Sequence, residues 1–357
     1  LKPDNPGTLM NLGGIYKDLG NLDLALASVL KSLELDHDNP TAHMNLGGIY
    51  KDLGNLNQAL TSTLKSLELK PDNAIAHTNL GIYYEILNEL DSALASYTKA
   101  TSLIAQHKDQ SCLTNLISSS IILLQMNKKE NAKIVLAKAL EIAENKVMNL
   151  KLTSKKNNKH DRAYLNYLSK LIPEIPDIKA MSEPQILHLG ESHCLTFTNQ
   201  TIVLEGEECT VKPSLIKGAK AFHLNDATRA NPQRLGFEKR LQQNLDGYKH
   251  IFLSFGEIDC RENEGILLYC RKTGKAIQDV AKLTATRYFK WTAKSLARQK
   301  EKLVYFGTPA PFLLDPISDE TSEINKQRLL AIKTFNTTLE KQCQETGVLF
   351  ADVYQLT

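Results

Sequence analysis

Apolar and small residues recur at a fixed interval of 34 residues through the first part of the chain. The segment that begins at Asn11 returns at Asn45 with 25 of 34 positions identical, and a third copy begins at Asn79. Each copy has the pattern of two helices, A and B, joined by short polar turns. A period of this length predicts a solenoid in which each helix pair packs against its neighbours.

Small residues occupy equivalent places in the copies and predict where the helices meet. Those expected at close helix contacts are Gly13, Gly47 and Gly81 in helix A, and Ala25, Ala59 and Ala93 in helix B. Gly20, Gly54 and Asn88 are expected to end helix A, because glycine and asparagine tolerate a left-handed C-cap. Over residues 1–105 the chain resembles the tetratricopeptide repeat (TPR) family, which implies an all-α array that holds a protein or peptide.

A row of asparagines marks the expected binding groove of this array. Asn11, Asn45 and Asn79 each precede a core leucine on the helix face that turns inward in TPR superhelices. An amide side chain both donates and accepts hydrogen bonds, which suits an extended peptide backbone. The row resembles the asparagine ladder of O-GlcNAc transferases. The expected flanking residues are Lys17, Asp18, Lys51 and Asp52; the alternative is that the asparagines cap local backbone and the charges are only solvated.

Beyond residue 105 the repeat becomes irregular. Residues 106–172 are expected to contain a degenerate repeat and capping helices, because the segment from Asn127 realigns with that from Asn88 at an offset of 39. Within it, residues 150–162 are polar and basic and predict a loop. Residues 173–184 contain three prolines and are expected to form a linker.

Residues 185–357 alternate short apolar stretches with helical ones. The predicted strands are 185–190, 201–206, 219–224, 250–256, 302–309 and 347–354, and the predicted helices lie near 231–245, 272–299 and 321–345. This alternation favours a three-layer α/β/α domain with a mostly parallel sheet. Chemistry in such sheets gathers at the carboxyl ends of the strands.

Two of these strand ends carry candidate chemistry. The first strand runs into Gly190, Glu191, Ser192 and His193, which places a hydroxyl on a tight turn. The fourth runs into Gly256, Glu257, Ile258, Asp259, Cys260 and Arg261. These two segments resemble the first and third blocks of the SGNH/GDSL hydrolases, whose fold is flavodoxin-like. The resemblance implies that Ser192 is a nucleophile and that a glycine near Gly218 lines an oxyanion hole. It also implies that the domain hydrolyses or transfers an acyl ester, and a carbohydrate ester is the expected substrate.

Two departures from that family bear on catalysis. Ile258 stands where the family has an asparagine that donates to the oxyanion, and loss of one such donor costs on the order of 10²–10³ in rate. The family's Asp-x-x-His after the last strand is absent, so Ser192 has no expected base, and we expect a domain that continues beyond residue 357. Asp259 is assigned to the catalytic site with Ser192. It is expected to form a buried ion pair with Arg261, which either shapes the site or is only a structural salt bridge.

The composition of the chain limits the classes of binding partner and the cellular location that we expect. A net charge of +3 from 43 basic and 40 acidic residues does not indicate nucleic-acid binding. No apolar stretch is long enough for a membrane span. The six cysteines lack metal-ligand spacing, so a reduced, cytoplasmic protein without metal or cofactor is expected. A non-catalytic TPR adaptor with a degenerate ligand-binding domain is the alternative function, and a glycosyltransferase is disfavoured by the lack of an Asp-x-Asp motif.

Overall fold

The computed structural model describes residues 5–106, 112–149, 157–177, 184–224, 231–309 and 323–354. The chain divides into two compact units. The first comprises Leu1–Glu174 with Ala230–Gly236, and the second comprises Ile175–Arg229 with Phe237–Thr357. None of the described helices combines the length and hydropathy that a membrane crossing requires.

The first unit is a series of helical pairs. Its helices are α1 (Pro6–Asp18), α2 (Leu22–Leu35), α3 (Pro40–Asp52), α4 (Leu56–Leu69), α5 (Ala74–Ile86), α6 (Leu90–Gln106), α7 (Cys112–Gln125), α8 (Lys129–Asn149) and α9 (Asn157–Glu174). Each odd-numbered helix from α1 to α7 packs against the helix that follows it, and α9 packs against α7 and α8. Helices A and B of the four repeats are therefore α1/α2, α3/α4, α5/α6 and α7/α8. The loop expected at 150–162 is wrong for residues 157–162, which begin α9; residues 150–156 lie outside the described ranges.

The turn inside each repeat has the expected geometry. Residues with a left-handed backbone stand after every A helix: Gly20, Gly54, Asn88 and Asn127. In the first repeat the backbone N–H of Asn21 then donates to the carbonyl of Tyr16 at 2.8 Å, and the other three repeats have an equivalent bond. This is the bond that closes a Schellman cap, and it satisfies carbonyls that the helix end leaves free.

Glycine is required where the A and B helices of a repeat touch. A Cβ on Gly13 would lie 2.4 Å from Val29 Cγ2, and one on Gly81 would lie 2.6 Å from the Tyr97 ring. These distances are too short for a real contact, so the two helices approach only because the side chain is absent. The predicted close contacts are confirmed, and Ala25, Ala59 and Ala93 are fully buried on the B helices.

The second unit is built on a six-stranded mixed sheet. Its strands are β1 (Gln185–Gly190), β2 (Thr201–Leu204), β3 (Glu207–Leu215), β4 (Tyr248–Ser254), β5 (Leu303–Phe306) and β6 (Leu349–Ala351). They lie in the order β2-β3-β1-β4-β5-β6. All neighbours pair in parallel except β2 and β3, which form an antiparallel hairpin.

The two faces of the sheet pack against different elements of the chain. The helices α10 (Ala221–Leu224), α11 (Pro232–Leu241), α12 (Gly265–Thr273), α13 (Ile277–Ser295) and α14 (Glu323–Thr346) all contribute to one core on the face of Leu187 and Leu253. On the other face, the described core consists of strand residues such as Ile186 and Phe252, with Phe197 and Val353. A helical layer on that second face is therefore not seen in the described ranges.

Two predictions for this unit are wrong. Residues 219–224 do not form a strand: they make a turn and the short helix α10, while the third strand is 207–215. The charged hairpin that contains Glu205 and Gly206, both with positive φ, masked the signal of β3. The helix expected at 272–299 is divided, because Gly274 ends α12 in the left-handed conformation.

Candidate functional site

The asparagine row lies along the A helices of the first three repeats. Asn11 is exposed, and Asn45 and Asn79 are half-buried. Asn45 and Asn79 stand beside the buried leucines Leu46 and Leu80. Leu12, beside Asn11, is half-buried. Among the hydrogen bonds of the described residues, none involves the side chain of Asn11, Asn45 or Asn79, so these amides are not spent on capping local backbone.

The surface next to this row changes character along the array. Gly14 follows Asn11 by three residues, and Gly48 follows Asn45 likewise, so they lie on the same helix face. A Cβ on Gly14 would meet nothing within 4 Å, and one on Gly48 would meet only the arm of Lys17. In the third repeat the corresponding residue is Ile82. The first two repeats thus present asparagines beside open backbone, and the third presents an apolar side chain.

Charged residues that flank the row have partners in the second and third repeats. Lys51 forms an ion pair with the adjacent Asp52 at 2.6 Å, and both side chains are about 30% exposed. In the third repeat, Glu85 takes the place of Lys17 and Lys51 and accepts a hydrogen bond of 2.9 Å from the Tyr97 hydroxyl. Burial and the Glu85 charge raise the pKa of Tyr97, which keeps that hydroxyl protonated. The flanking charges of the second repeat are therefore paired with each other, and that of the third repeat is hydrogen-bonded within the array.

The second candidate site lies at the carboxyl end of β1. Ser192 opens a 3-10 turn (Ser192–Phe197) directly after the strand and is half-buried. Gly190 permits this turn, because a Cβ there would lie 2.1 Å from the hydroxyl oxygen of Ser254 on the neighbouring β4. The tight turn predicted at this strand end is present in the structure.

Glu191 ties the two strand ends together. Its buried carboxylate accepts hydrogen bonds from the backbone N–H groups of Glu257 (2.9 Å) and Ile258 (3.3 Å). Burial first, and then the charges of Glu257 and Asp259, raise the pKa of Glu191 well above its ordinary value. Glu191 thereby brings the segment after β4 next to Ser192, as the sequence predicted for these two strand ends.

Both carboxylate oxygens of Asp259 accept hydrogen bonds from backbone N–H groups. Its two carboxylate oxygens accept from the N–H groups of Ala221 (2.7 Å) and Phe222 (2.9 Å), which begin α10. Gly265 makes room for it, because a Cβ there would lie 2.8 Å from Asp259 Oδ1. Burial raises the pKa of Asp259 to about 7. The catalytic role of Asp259 stays a prediction, and both of its carboxylate oxygens already accept hydrogen bonds from backbone amides.

Arg261 forms an ion pair with Glu257, whereas the sequence analysis expected its partner to be Asp259. Its guanidinium binds Glu257, with Nε 2.8 Å from Oε2 and Nη2 2.5 Å from the same oxygen. Glu257, Glu191 and His193 form the group whose ligand atoms all lie within 4.8 Å of one another, which is close enough to hold a cation. Burial lowers the pKa of His193, so its imidazole is neutral at physiological pH. However, the oxygens of Glu191 and Glu257 already accept from backbone amides and from Arg261.

The glycines assigned to the site differ in their surroundings. Gly218 has a φ of +69° and lies exposed after β3 with nothing within 4 Å of a Cβ position. Gly256 has a φ of +127°, and a Cβ there would lie 2.8 Å from both Phe335 and Thr308. Gly256 is thus required by packing, whereas Gly218 leaves its backbone open to solvent.

Two buried polar residues near this edge were missed by the sequence analysis. His188 is fully buried among Phe197, Phe252 and Phe306, and its Nε2 lies 2.9 Å from the Ser254 hydroxyl. His188 stands between Leu187 and Leu189 in β1, and the sequence pattern did not indicate that a histidine would be buried there. Burial lowers its pKa to about 3.

The other missed residue is Arg240. It is 1% exposed, and it donates to Ser214 Oγ at 3.0 Å and to the Leu215 carbonyl at 2.8 Å. It therefore secures the end of β3, two residues before the turn that carries Gly218. Because β3 was not predicted, the hydrogen bonds between Arg240 and this strand could not be predicted either.

Comparisons with known proteins identify the repeats. The family model described as TPR repeat matches residues 13–54 and 47–86, and that described as tetratricopeptide repeat matches residues 74–107 and 117–146. The N-terminal region therefore consists of tetratricopeptide repeats, a protein-binding architecture, and the match extends into the degenerate fourth repeat. No curated protein matches the chain.

Several solved structures are similar to part of the chain. A crystal structure of MamA is 26% identical and covers 41% of this chain and 83% of its own, with a TM-score of 0.38. MamA 41-end from Desulfovibrio magneticus RS-1 is 19% identical over 40% of this chain and 78% of its own, with a TM-score of 0.36. The first TPR of Spaghetti (RPAP3), bound to an HSP90 peptide, is 21% identical over 29% of this chain and 82% of its own, with a TM-score of 0.28.

Proposed function

We propose that the TPR array binds an extended segment of a partner protein along the row Asn11, Asn45 and Asn79. The observation that carries this proposal is that these three side-chain amides recur once per repeat and make no hydrogen bond within the described chain. Each amide can donate to one backbone group of a peptide and accept from another. A peptide in extended conformation exposes such groups at regular intervals, and the repeats offer regularly spaced partners.

The neighbouring surface supports recognition of backbone over charge. Gly14 and Gly48 leave room for a peptide main chain to approach the A helices. Lys51 is neutralised by Asp52, so a strongly acidic or basic ligand gains little from it. We infer a sequence-tolerant grip in which Ile82 of the third repeat adds an apolar contact.

The experiment uses a phage-displayed library of unstructured 12-residue peptides to obtain a ligand for the full chain. Asn45→Ala combined with Asn79→Ala is expected to weaken the selected peptide at least about tenfold, because a lost hydrogen bond contributes on the order of 1 kcal/mol. Asn57→Ala on the exposed side of α4 is the matched control. Unchanged affinity in the double variant, with helical circular dichroism intact, would assign the row to structure only.

A second candidate function concerns the turn at Ser192. We infer acyl-ester hydrolysis or transfer. The serine oxygen attacks the ester carbonyl and the alcohol leaves with the serine proton; water or an acceptor hydroxyl then takes the acyl group from the serine and returns a proton to the serine oxygen. The support is the placement of Ser192 at the carboxyl end of β1, next to Glu191, His193 and Glu257. The parallel strands follow the order β3-β1-β4-β5-β6, which corresponds to the 2-1-3-4-5 order of flavodoxin-like sheets. An acylated carbohydrate is the substrate class that the family resemblance suggests.

The structure also defines what such a reaction still needs. The Ile258 side chain supplies no donor to an oxyanion, and its backbone N–H is bound to Glu191. Turnover of p-nitrophenyl acetate by the chain, compared with Ser192→Ala, tests the role of the serine. Turnover that survives in Ser192→Ala excludes it as the nucleophile. Absence of turnover in both chains favours the alternative, a non-catalytic ligand-binding domain on a TPR adaptor.

A cytoplasmic location belongs to the same proposal. All six cysteines are buried thiols, and the structure describes each of them; none of the six forms a disulfide. Free thiols are the usual state in a reducing compartment. Fractionation of cells that express the full-length gene, with antibody detection, tests this location; recovery from an oxidising compartment would contradict it.

A further inference from the structure

Ser254 lies at the base of the turn that carries Ser192. It is the last residue of β4, and its carbonyl oxygen accepts a hydrogen bond of 3.2 Å from the backbone N–H of Glu191. Its hydroxyl oxygen packs on Gly190, since a Cβ on that glycine would lie 2.1 Å from it. The residue is half-buried. The Ser254 hydroxyl is therefore held next to the two residues that precede Ser192.

Among the described residues, the only side chain that shares a hydrogen bond with this hydroxyl is that of His188. Its Nε2 lies 2.9 Å from Ser254 Oγ. The imidazole is enclosed by three aromatic rings, whose centroids lie 5.4 Å (Phe197), 5.7 Å (Phe252) and 5.2 Å (Phe306) from its own. These rings leave the imidazole little freedom to turn, so Nε2 stays directed at Ser254.

The position of the single proton on His188 decides what Ser254 can donate. Burial lowers the pKa of His188 to about 3, so the imidazole is neutral and carries one ring proton. Nδ1 is buried and has no hydrogen-bond partner in the part of the chain that the structure describes. Proteins leave a buried N–H without an acceptor less often than a buried acceptor without a donor, so the proton is placed on Nε2. Nε2–H then donates to Ser254 Oγ, and the hydroxyl proton of Ser254 is available to another acceptor.

We propose that the Ser254 hydroxyl donates a hydrogen bond to the carbonyl oxygen of the acyl group that Ser192 attacks, and that His188 orients it for this. The role rests on the acyl-ester reaction proposed above. When the Ser192 oxygen bonds to the acyl carbon, the carbonyl oxygen takes up negative charge. Ser254 shares its proton with that oxygen without giving it up, and the C=O bond forms again when the alcohol leaves. Ser254 is then a catalytic residue and His188 a positioning residue.

This donor would take the place of the one that Ile258 lacks. The Ile258 side chain has no polar atom, and its backbone N–H donates to Glu191 at 3.3 Å. The Glu257 carboxylate accepts from Arg261 and offers no proton. Ser254 ends the same strand four residues earlier, with a neutral hydroxyl that is fixed before the reaction begins. A fixed, neutral donor is the kind of group that stabilises a developing oxyanion.

The kinetic test compares hydrolysis of p-nitrophenyl acetate by the full chain and by Ser254→Ala. Loss of one oxyanion donor costs on the order of 10²–10³ in rate, so kcat should fall at least about 100-fold while KM stays within about twofold. Thr201→Ala, at an exposed hydroxyl in β2, is the matched control and should leave both constants unchanged. His188→Gln, whose amide N–H can replace Nε2–H, should keep more of kcat than His188→Phe.

NMR of the full chain labelled with ¹⁵N-histidine reads the tautomer of His188 directly. The signals of this residue are identified by their absence in His188→Phe. We expect a protonated Nε2 and an unprotonated Nδ1 at neutral pH, because Nε2 has the only acceptor. Ser254→Ala removes that acceptor and should shift the Nε2 resonance. A proton on Nδ1 would overturn the proposal, and so would an Nε2 resonance that Ser254→Ala leaves unchanged.

The kinetic outcomes separate this proposal from the one on which it rests. Unchanged kcat in Ser254→Ala, with Ser192→Ala inactive, would remove the donor role and keep Ser192 as the nucleophile. A raised KM at unchanged kcat would make Ser254 a residue of ground-state binding and overturn the proposal as well. Turnover that is absent from the unaltered chain, or that survives in Ser192→Ala, would end the acyl-ester function and the donor role together.

Discussion

The hydroxyl of Ser120 in α7 donates a hydrogen bond of 3.0 Å to the carbonyl oxygen of Ala132 in α8. In the second repeat the same relationship joins Gly47 to Ala59, where a Cβ would lie 3.0 Å from the carbonyl oxygen. The fourth repeat therefore admits a side chain at the closest helix contact because that side chain is small and bonds to the group it meets. The repeat is irregular in sequence but keeps the helix contact.

We expect Gly47→Ala to destabilise the array by about 1–3 kcal/mol, the usual effect of forcing a methyl group into a packed core. The new Cβ would lie 2.2 Å from Thr63 Oγ1 and 3.0 Å from the Ala59 carbonyl. Gly14→Ala is the control, because nothing lies within 4 Å of its Cβ position. It should stabilise by roughly 0.5–1 kcal/mol through helix propensity. Urea unfolding followed by far-ultraviolet circular dichroism measures both; equal shifts would contradict the contact.

Ser120→Ala should cost about 1 kcal/mol, since it removes one buried hydrogen bond and keeps the volume small. Ser120→Val should cost more, because a branched side chain must fit against α8 at the same point. The same unfolding measurement applies, and Ser92→Ala on the surface-facing side of α6 is the comparison. A Ser120→Val chain as stable as Ser120→Ala would show that the fourth repeat is looser than the structure describes.

Asp259 should titrate near pH 7, because burial raises its pKa. Ionisation then strengthens its hydrogen bonds to Ala221 and Phe222, so the amide proton resonances of these residues should shift with a midpoint of about 7. The raised pKa also makes the free energy of unfolding depend on pH. The contribution of this carboxyl to stability is greatest below pH 3.8, the pKa in the unfolded chain, and is lost as pH rises through the folded pKa of about 7. A midpoint below pH 5 would contradict the burial of Asp259.

His188 gives the opposite pH dependence. Its folded pKa of about 3 lies below the unfolded value of 6.5, so the unfolded chain binds the proton and stability is lost as pH falls below 6.5. His188→Phe should reduce the loss of stability between pH 7 and pH 5 by about 2 kcal/mol, given 1.36 kcal/mol per pKa unit. Urea unfolding followed by fluorescence of Trp291, the single tryptophan, reports on this unit because Trp291 packs against its core. An identical pH dependence in both chains would refute the shift.

Repetition made the first unit readable from sequence. The helix ends at Gly20, Gly54 and Asn88 and the contacts at Gly13 and Gly81 depend on local backbone and side-chain volume, and copies at a fixed period reveal both. The second unit lacked this redundancy. The stretch 219–224 is apolar enough for a strand, yet it forms α10 because Asp259, 37 residues away in sequence from Phe222, caps it.

Part of the candidate site could also be predicted from the sequence. Glu191, Ser192 and Glu257 follow recognisable strands, so their proximity could be inferred from the parallel sheet. The use of Glu191 as an acceptor of backbone amides, and of Arg261 as the partner of Glu257, depends on loop conformations that no pattern encodes. Arg240 and His188 carry no sequence signal because each is a polar residue buried by its surroundings.

The near-identity of the first two repeats has a consequence for folding. α1 and α3 share their last nine residues, and the B-helix residues that contact the glycines differ only as Val29 and Thr63. A folding chain therefore gains almost the same contacts when α1 pairs with α4 as when it pairs with α2. The correct partner is selected by chain connectivity, since the three residues between α1 and α2 close a short loop at little entropic cost. Fidelity in this region rests on the turn at Gly20, and a longer linker there would favour exchange of helices between repeats or between molecules.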